Sequence, residues 1–178
     1  MKRSFNFSVF LIFGTLLLVR QSPAGSVSQE RQPNGTQTDP LLTVSAEPGR
    51  SLKLSLGDLA RLPRRTTRAK EHSGKDATFE GVALLDILKL VGVKFGEGLR
   101  GKALSQYVVV KATDNYQVVF ALPELDPAFT DRMVLLADKK NGSRLAASEG
   151  PFRVVVPDEK RQARWVRNVI SISVARVQ

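Results

Sequence analysis

Few residues in this 178-residue chain can carry covalent or metal chemistry. There is one histidine, His72, and no cysteine. A zinc site would have to combine His72 with carboxylates alone, a poor ligand set. A serine triad would need a nucleophile on a strained elbow, and no G-x-S-x-G is present. Without cysteine there is no thiolate nucleophile, no thiolate metal ligand and no disulfide. His72 sits beside Glu71 and a run of cations, where it is either a bystander in a turn or part of a pocket. Gly96-Glu97-Gly98-Leu99-Arg100-Gly101 matches the spacing of a dinucleotide-binding glycine loop. Such a loop must follow a strand and open a helix, so that the pyrophosphate meets the helix N-terminus. This one follows a helical stretch and leads into a strand pattern, and it reads as a plain loop.

What remains is arginine. Arg61, Arg64, Arg65, Arg68 and Lys70 fall within ten residues, and Arg153, Lys160, Arg161, Arg164 and Arg167 form a second group around the only tryptophan, Trp165. The guanidinium is a planar fork of donors that matches phosphate oxygens. Several arginines around a tight loop therefore suit a phosphate-bearing ligand. The plainer alternatives are a solvated face, an ion-paired structural Arg153 and a core Trp165.

These groups are positioned by short elements. Leu42 to Val44 reads as a strand, residues 47–50 as a turn and Leu52 to Leu56 as a second strand. Asp58 to Leu62 is one helical turn stopped by Pro63. Arg64 to Lys70 is polar but β-compatible, residues 72–76 are turn-like and Ala77 to Glu80 is a short strand. Leu84, Leu85, Leu88 and Val91 recur at helical spacing, and Gly92 follows them as a C-terminal stop. Tyr107 to Ala112 and Gln117 to Leu122 are strands joined through Asp114-Asn115, a hairpin pattern. Residues 123–126 suggest a helical turn, Met133 to Ala137 a strand, residues 140–142 a turn, Phe152 to Val156 a buried strand and Val169 to Val177 a last strand. Strands dominate and no βαβ rhythm appears, which predicts an α+β fold with mixed or antiparallel sheets and short helices.

Lys2 and Arg3, the apolar run from Phe5 to Val19, and Ser22 and Ala24 in a small-x-small arrangement predict a signal peptide over residues 1–24. The run is shorter than the roughly 20 residues of a spanning helix, and contact with a membrane is expected only if the peptide stays uncleaved. The absence of cysteine excludes a lipoprotein anchor. Residues 25–40, rich in Ser, Gln, Gly, Pro and Asn, predict a flexible leader, and residues 41–178 a single domain. A periplasmic or secreted location follows. The chain carries 27 Lys+Arg against 17 Asp+Glu. Three of the cations and none of the acids lie in residues 1–24, leaving 24 against 17, or +7, downstream. That balance favours anionic partners. Nucleic acid is not expected, because no aromatic-and-basic stacking strip is present.

Four stretches, in this order, carry a resemblance: "TFEGVALLDILKLVGV", "YVVVKATDNYQVVFALPELDP", "MVLLADKKNG" and "EGPFRVVVPDEKRQARWVRNVISISV". Together they resemble the sulfite-oxidase-like, molybdopterin-binding oxidoreductase domain family, especially its small exported stand-alone members. The resemblance spans Thr78 to Val174 and weakens toward Leu52. It implies a sulfite-oxidase-like α+β fold with a pterin-type pocket and a molybdopterin cofactor. In catalytic members a cysteine thiolate holds the molybdenum, and the corresponding position falls at or near Ala69. The missing cysteine places molybdenum in doubt and leaves no metal ligand to name. The family's cofactor-contacting positions map onto Ser148, Arg153, Gln162 and Arg164, with Ser148 standing where many sulfite oxidases have His. With Asp114 and Tyr116 of "ATDNY", the resemblance gathers Arg68, Glu71, His72, Asp114, Arg153 and Arg164 at the tip of the pocket.

Three functions follow as expectations. The first is an exported domain that binds a pterin-type or other phosphorylated, small anionic ligand without the cysteine ligand for molybdenum. The second is an active molybdopterin oxidoreductase whose metal ligand is not cysteine or comes from a redox partner protein. The third is a non-catalytic protein that engages an envelope partner through its basic patches. The fold does not decide among them, because function resides in the site.

Overall fold

The computed structural model describes residues 41–47 and 49–177. The predicted signal peptide, and all of the leader predicted over residues 25–40, lie outside the described residues. Among the described residues ten strands form two five-stranded sheets. In the first, β1 (Leu42–Ala46), β2 (Ser51–Leu54), β5 (Gln106–Ala112), β6 (Gln117–Ala121) and β10 (Val169–Arg176) lie in the order β2-β1-β10-β5-β6. Only the β1–β10 pair is parallel. In the second, β3 (Arg64–Lys70), β4 (Asp76–Ala83), β7 (Leu135–Lys140) and β8 (Ser143–Arg144) follow in sequence, and β9 (Arg153–Val155) also pairs with β7. The helices are single turns or little more, α1 (Leu56–Ala60) and α2 (Leu84–Lys89), with short 3-10 turns between strands. This is the mixed-sheet α+β architecture expected.

Alternation decides which side of β5 and β6 is buried, whereas β9 and the first four residues of β7 are buried on both sides. Val108 and Val110 of β5, Phe120 of β6, and Ile172 and Val174 of β10 enter one apolar core with Phe79 and Val82 of β4, Leu135 and Leu136 of β7, and Val154 of β9. Leu84, Ile87 and Leu88 of α2 supply the helical stripe. Gly92 takes φ +89, the left-handed conformation that ends the helix without a Cβ penalty.

Several boundaries differ from expectation. The second strand ends at Leu54, not Leu56, because Ser55 caps the next helix. Its hydroxyl accepts from the Asp58 amide at 3.2 Å, and Asp58 Oδ2 accepts from the Ser55 amide at 2.9 Å. This reciprocal pair starts α1 at Leu56. The strand expected to end at Glu80 runs on to Ala83, since Gly81 lets β7 approach closely. The strand expected over 133–137 is shifted to 135–140, because Asn141 (φ +50) and Gly142 (φ +79) make a two-residue turn into β8, a strand not foreseen. The glycine-rich 96–101 stretch forms 3-10 turns ahead of β5, outside any strand-to-helix junction.

Candidate anion-binding cavity

A cavity of about 1180 Å³ opens where the ends of strands from both sheets meet. The turn after β3 contributes Glu71, His72 and Gly74, and Lys70 closes that strand. The β5–β6 turn contributes Thr113, Asp114 and Tyr116. Ser148 precedes β9, Arg153 begins it, and the connection from β9 to β10 supplies residues from Pro157 to Asn168.

Local chemistry fixes these segments. Asp114 Oδ1 accepts the Tyr116 amide at 2.9 Å, closing an Asx-type turn in which Asn115 takes φ +68. The Tyr116 hydroxyl donates to the Ala163 carbonyl at 2.7 Å, tying this turn to the basic loop. Gln162 Nε2 donates to the Lys70 carbonyl and ties the same loop to β3. Trp165 is buried. Its Nε1–H donates to the Val156 carbonyl at 2.9 Å, and its ring meets Phe79 edge-on at 5.7 Å.

Arg153, an expected member, is a charged side chain only 1% exposed. Its guanidinium lies 5.3 Å from the Phe79 ring centre and 5.4 Å from that of Trp165. Nη1 donates to Glu71 Oε1 at 3.1 Å and lies 3.3 Å from Glu149 Oε1. Lys140 Nζ joins both carboxylates, at 3.3 Å to Glu71 and 2.9 Å to Glu149. Two cations thus face two carboxylates, which is how a buried charge is tolerated. Nε of Arg153 is buried with no hydrogen-bond partner among the described residues. Burial acts to raise the Glu149 carboxyl, but the Lys140 hydrogen bond and the charges of Arg153, Lys140 and Arg167 outweigh it and hold Glu149 below the usual carboxylate range.

Of the seven ligand-contact positions expected, five line the cavity: His72, Asp114, Ser148, Arg153 and Gln162. Two do not. Arg68 points from an exposed position on β3 and pairs with Asp76 at 3.3 Å. Arg164 turns away from the cavity. Its guanidinium lies 4.4 Å from the Phe120 ring centre, and it donates through Nε to Glu159 at 2.6 Å, through Nη1 to Glu124 at 3.1 Å and to the Val119 carbonyl at 3.2 Å. Burial opposes its charge, yet the bonds to Glu159 and Glu124 raise its pKa further. Arg164 is a staple between the basic loop and the sheet.

Conversely, Lys70, Lys160, Arg161 and Arg167 line the cavity, and among the described residues none is within ion-pairing distance of a carboxylate. Their density in sequence was the available signal for them. Lys140 and Glu149 carried no such signal: the pairing of β7 with β4 and β9 brings Lys140 to the site, and Glu149 reaches Arg153 from four residues earlier in the chain, across the Gly150-Pro151 turn.

The donor set separates the two parts of a molybdopterin-type group. No cysteine exists in the chain, and among the described residues no cluster of three His, Asp or Glu side chains has metal-binding spacing. Ala69, the position equated with the metal-binding cysteine, is buried in the core and outside the cavity lining. These residues do not fit a thiolate-held metal. The cations and the amide, hydroxyl and imidazole groups do fit an anionic, hydrogen-bonding organic ligand.

Comparison with known proteins agrees with this architecture. The profile of the oxidoreductase molybdopterin binding domain matches residues 33–178. The chain belongs to that family. Among solved structures, the crystal structure of the sulfane dehydrogenase SoxCD from Paracoccus pantotrophus superposes with a TM-score of 0.60 at 21% identity, over 76% of this chain. At that identity the likeness shows the sulfite-oxidase-like fold alone, and this family member spans only 38% of the SoxCD chain. No curated protein matches. Among the described residues no helix is long and apolar enough to cross a membrane.

Proposed function

We propose that this protein is an exported binding module on an oxidoreductase fold, holding a pterin-type or other phosphorylated anionic ligand without a protein thiolate for molybdenum. The observation that carries the reading is the cavity itself, where four cations without carboxylate partners face open space in a chain with no cysteine. Lys70, Lys160, Arg161 and Arg167 attract the anionic part of the ligand, and His72, Asp114, Ser148 and Gln162 offer hydrogen bonds to its ring system. Export rests on the basic, apolar and small-residue pattern of the first 24 residues.

The test is mass spectrometry and metal analysis of the protein purified from its native compartment or from a host that makes molybdenum cofactors. The expected result is a co-purifying pterin or other phosphorylated compound without stoichiometric molybdenum. The double variant Arg161→Ala/Arg167→Ala should lose that compound and keep its unfolding temperature, because both side chains are exposed. Stoichiometric molybdenum would overturn the metal half of the reading and favour an active oxidoreductase with a non-cysteine or partner-supplied ligand. A protein that is empty, and binds anionic envelope polymers instead, would overturn the ligand half.

A further inference from the structure

Arg153 reaches the cavity wall already occupied. Of the two carboxylates on its Nη1, Glu149 lies outside the cavity lining and is held by Lys140 at 2.9 and 3.0 Å. Glu71 is different. It lines the cavity, on the turn between β3 and β4, where its amide donates to the Lys75 carbonyl at 2.8 Å and its carbonyl accepts from the Gly74 amide at 2.8 Å. Its carboxylate therefore presents one oxygen, Oε1, to both Arg153 and Lys140 from the wall of the cavity. A carboxylate oxygen and a phosphate oxygen compete for the same donors with the same geometry.

We propose that Glu71 is a built-in competitor for the oxyanion seat on Arg153, and so sets which anions the inner end of the cavity accepts. This rests on the anion-binding reading above. While Glu71 is in place, two cations are balanced by two carboxylates, and a doubly charged oxyanion gains little by entering. A ligand reaches Arg153 only by displacing Glu71, or by offering a neutral acceptor to the buried, unpartnered Nε–H. Removing the Glu71 charge leaves Lys140 and Arg153 sharing Glu149 alone, one cation in excess.

The experiment is a titration with inorganic phosphate, followed by the fluorescence of Trp165, the only tryptophan and a neighbour of the Arg153 guanidinium. Glu71→Gln should bind phosphate about tenfold more tightly than the wild type or better, as expected when one charge at contact distance is removed. Asp158→Asn, which removes an exposed carboxylate of the β9–β10 connection outside the cavity lining, should gain less than about threefold, the through-space effect screened by solvent. Equal or weaker binding by Glu71→Gln, or an equal gain in Asp158→Asn, overturns the proposal. Glu71→Ala reads the same competition should the amide variant not fold. Failure of the underlying reading looks different. If Arg161→Ala/Arg167→Ala retains wild-type affinity for phosphate and for the co-purifying compound, the cavity is not the anion site. If neither the wild type nor Glu71→Gln binds phosphate, both ideas fall.

Discussion

At the scale of single residues, the centre of the molecule is a guanidinium that cannot shed its charge and has almost no access to water. Glu149 makes that burial tolerable, and its own titration reports the interaction. Its folded carboxyl titrates below the ordinary value of 4.5. A depressed carboxyl stabilises the fold in full above the unfolded value and loses that contribution as pH falls through the folded one. Glu149→Gln should therefore cost about 1–3 kcal/mol at pH 7, less than a fully broken buried pair because Glu71 still faces Arg153. The gap between wild type and variant should close as pH drops below 4.5 and through the lower folded value. Urea unfolding at several pH values measures it, and a gap independent of pH would mean that the Glu149 charge stabilises nothing.

At the scale of elements, one glycine holds the second sheet together. β4 pairs with β7 through a register shift between Glu80 and Gly81. A Cβ at position 81 would overlap the Leu136 carbonyl and come within 2.6 Å of the Ala137 Cα, backbone atoms that cannot step aside. Gly81→Ala should cost about 2–4 kcal/mol by prising β4 from β7. A shift in the denaturation midpoint worth less than about 0.5 kcal/mol would show that the bulge relaxes instead. Much of this level was legible in the sequence. The stripe of Leu84, Leu88 and Val91 gave α2, and Asp114-Asn115 between alternating strands gave the β5–β6 hairpin, since both signals are local. The end of β2 was missed because the Ser55–Asp58 capping box overrides an alternating pattern that continues in the sequence to Leu56. The start of β7 was missed because it is set by pairing with β4 and β9, both distant in the chain, and β8 was missed because it is only two residues long, folded back on the end of β7 by the Asn141-Gly142 turn.

At the scale of the whole molecule, the sequence showed that cations cluster but not which way each one faces. Arg153 and Arg164 lie in one short stretch and look alike, yet β9 carries the first into the cavity wall while a 3-10 turn directs the second onto Phe120, Glu124 and Glu159. Facing depends on three segments that only the folded sheets bring together, so composition gave the charge of the site and the fold gave its members. The lining carries Lys70, Arg153, Lys160, Arg161 and Arg167 against Glu71, Asp114 and Glu159, an excess of two positive charges around an open space. Attraction of that kind acts through water and is screened over about 10 Å at 0.1 M salt and about 3 Å at 1 M. Affinity for a phosphorylated ligand should therefore fall about tenfold or more between low salt and 1 M salt. In Glu71→Gln the salt dependence should steepen, since the inner end of the cavity is then one charge more positive. Calorimetric titration across a salt series measures both slopes. An affinity indifferent to salt would mean that the ligand is held by ring contacts and neutral hydrogen bonds, with the unpaired cations serving only to keep a basic surface in water.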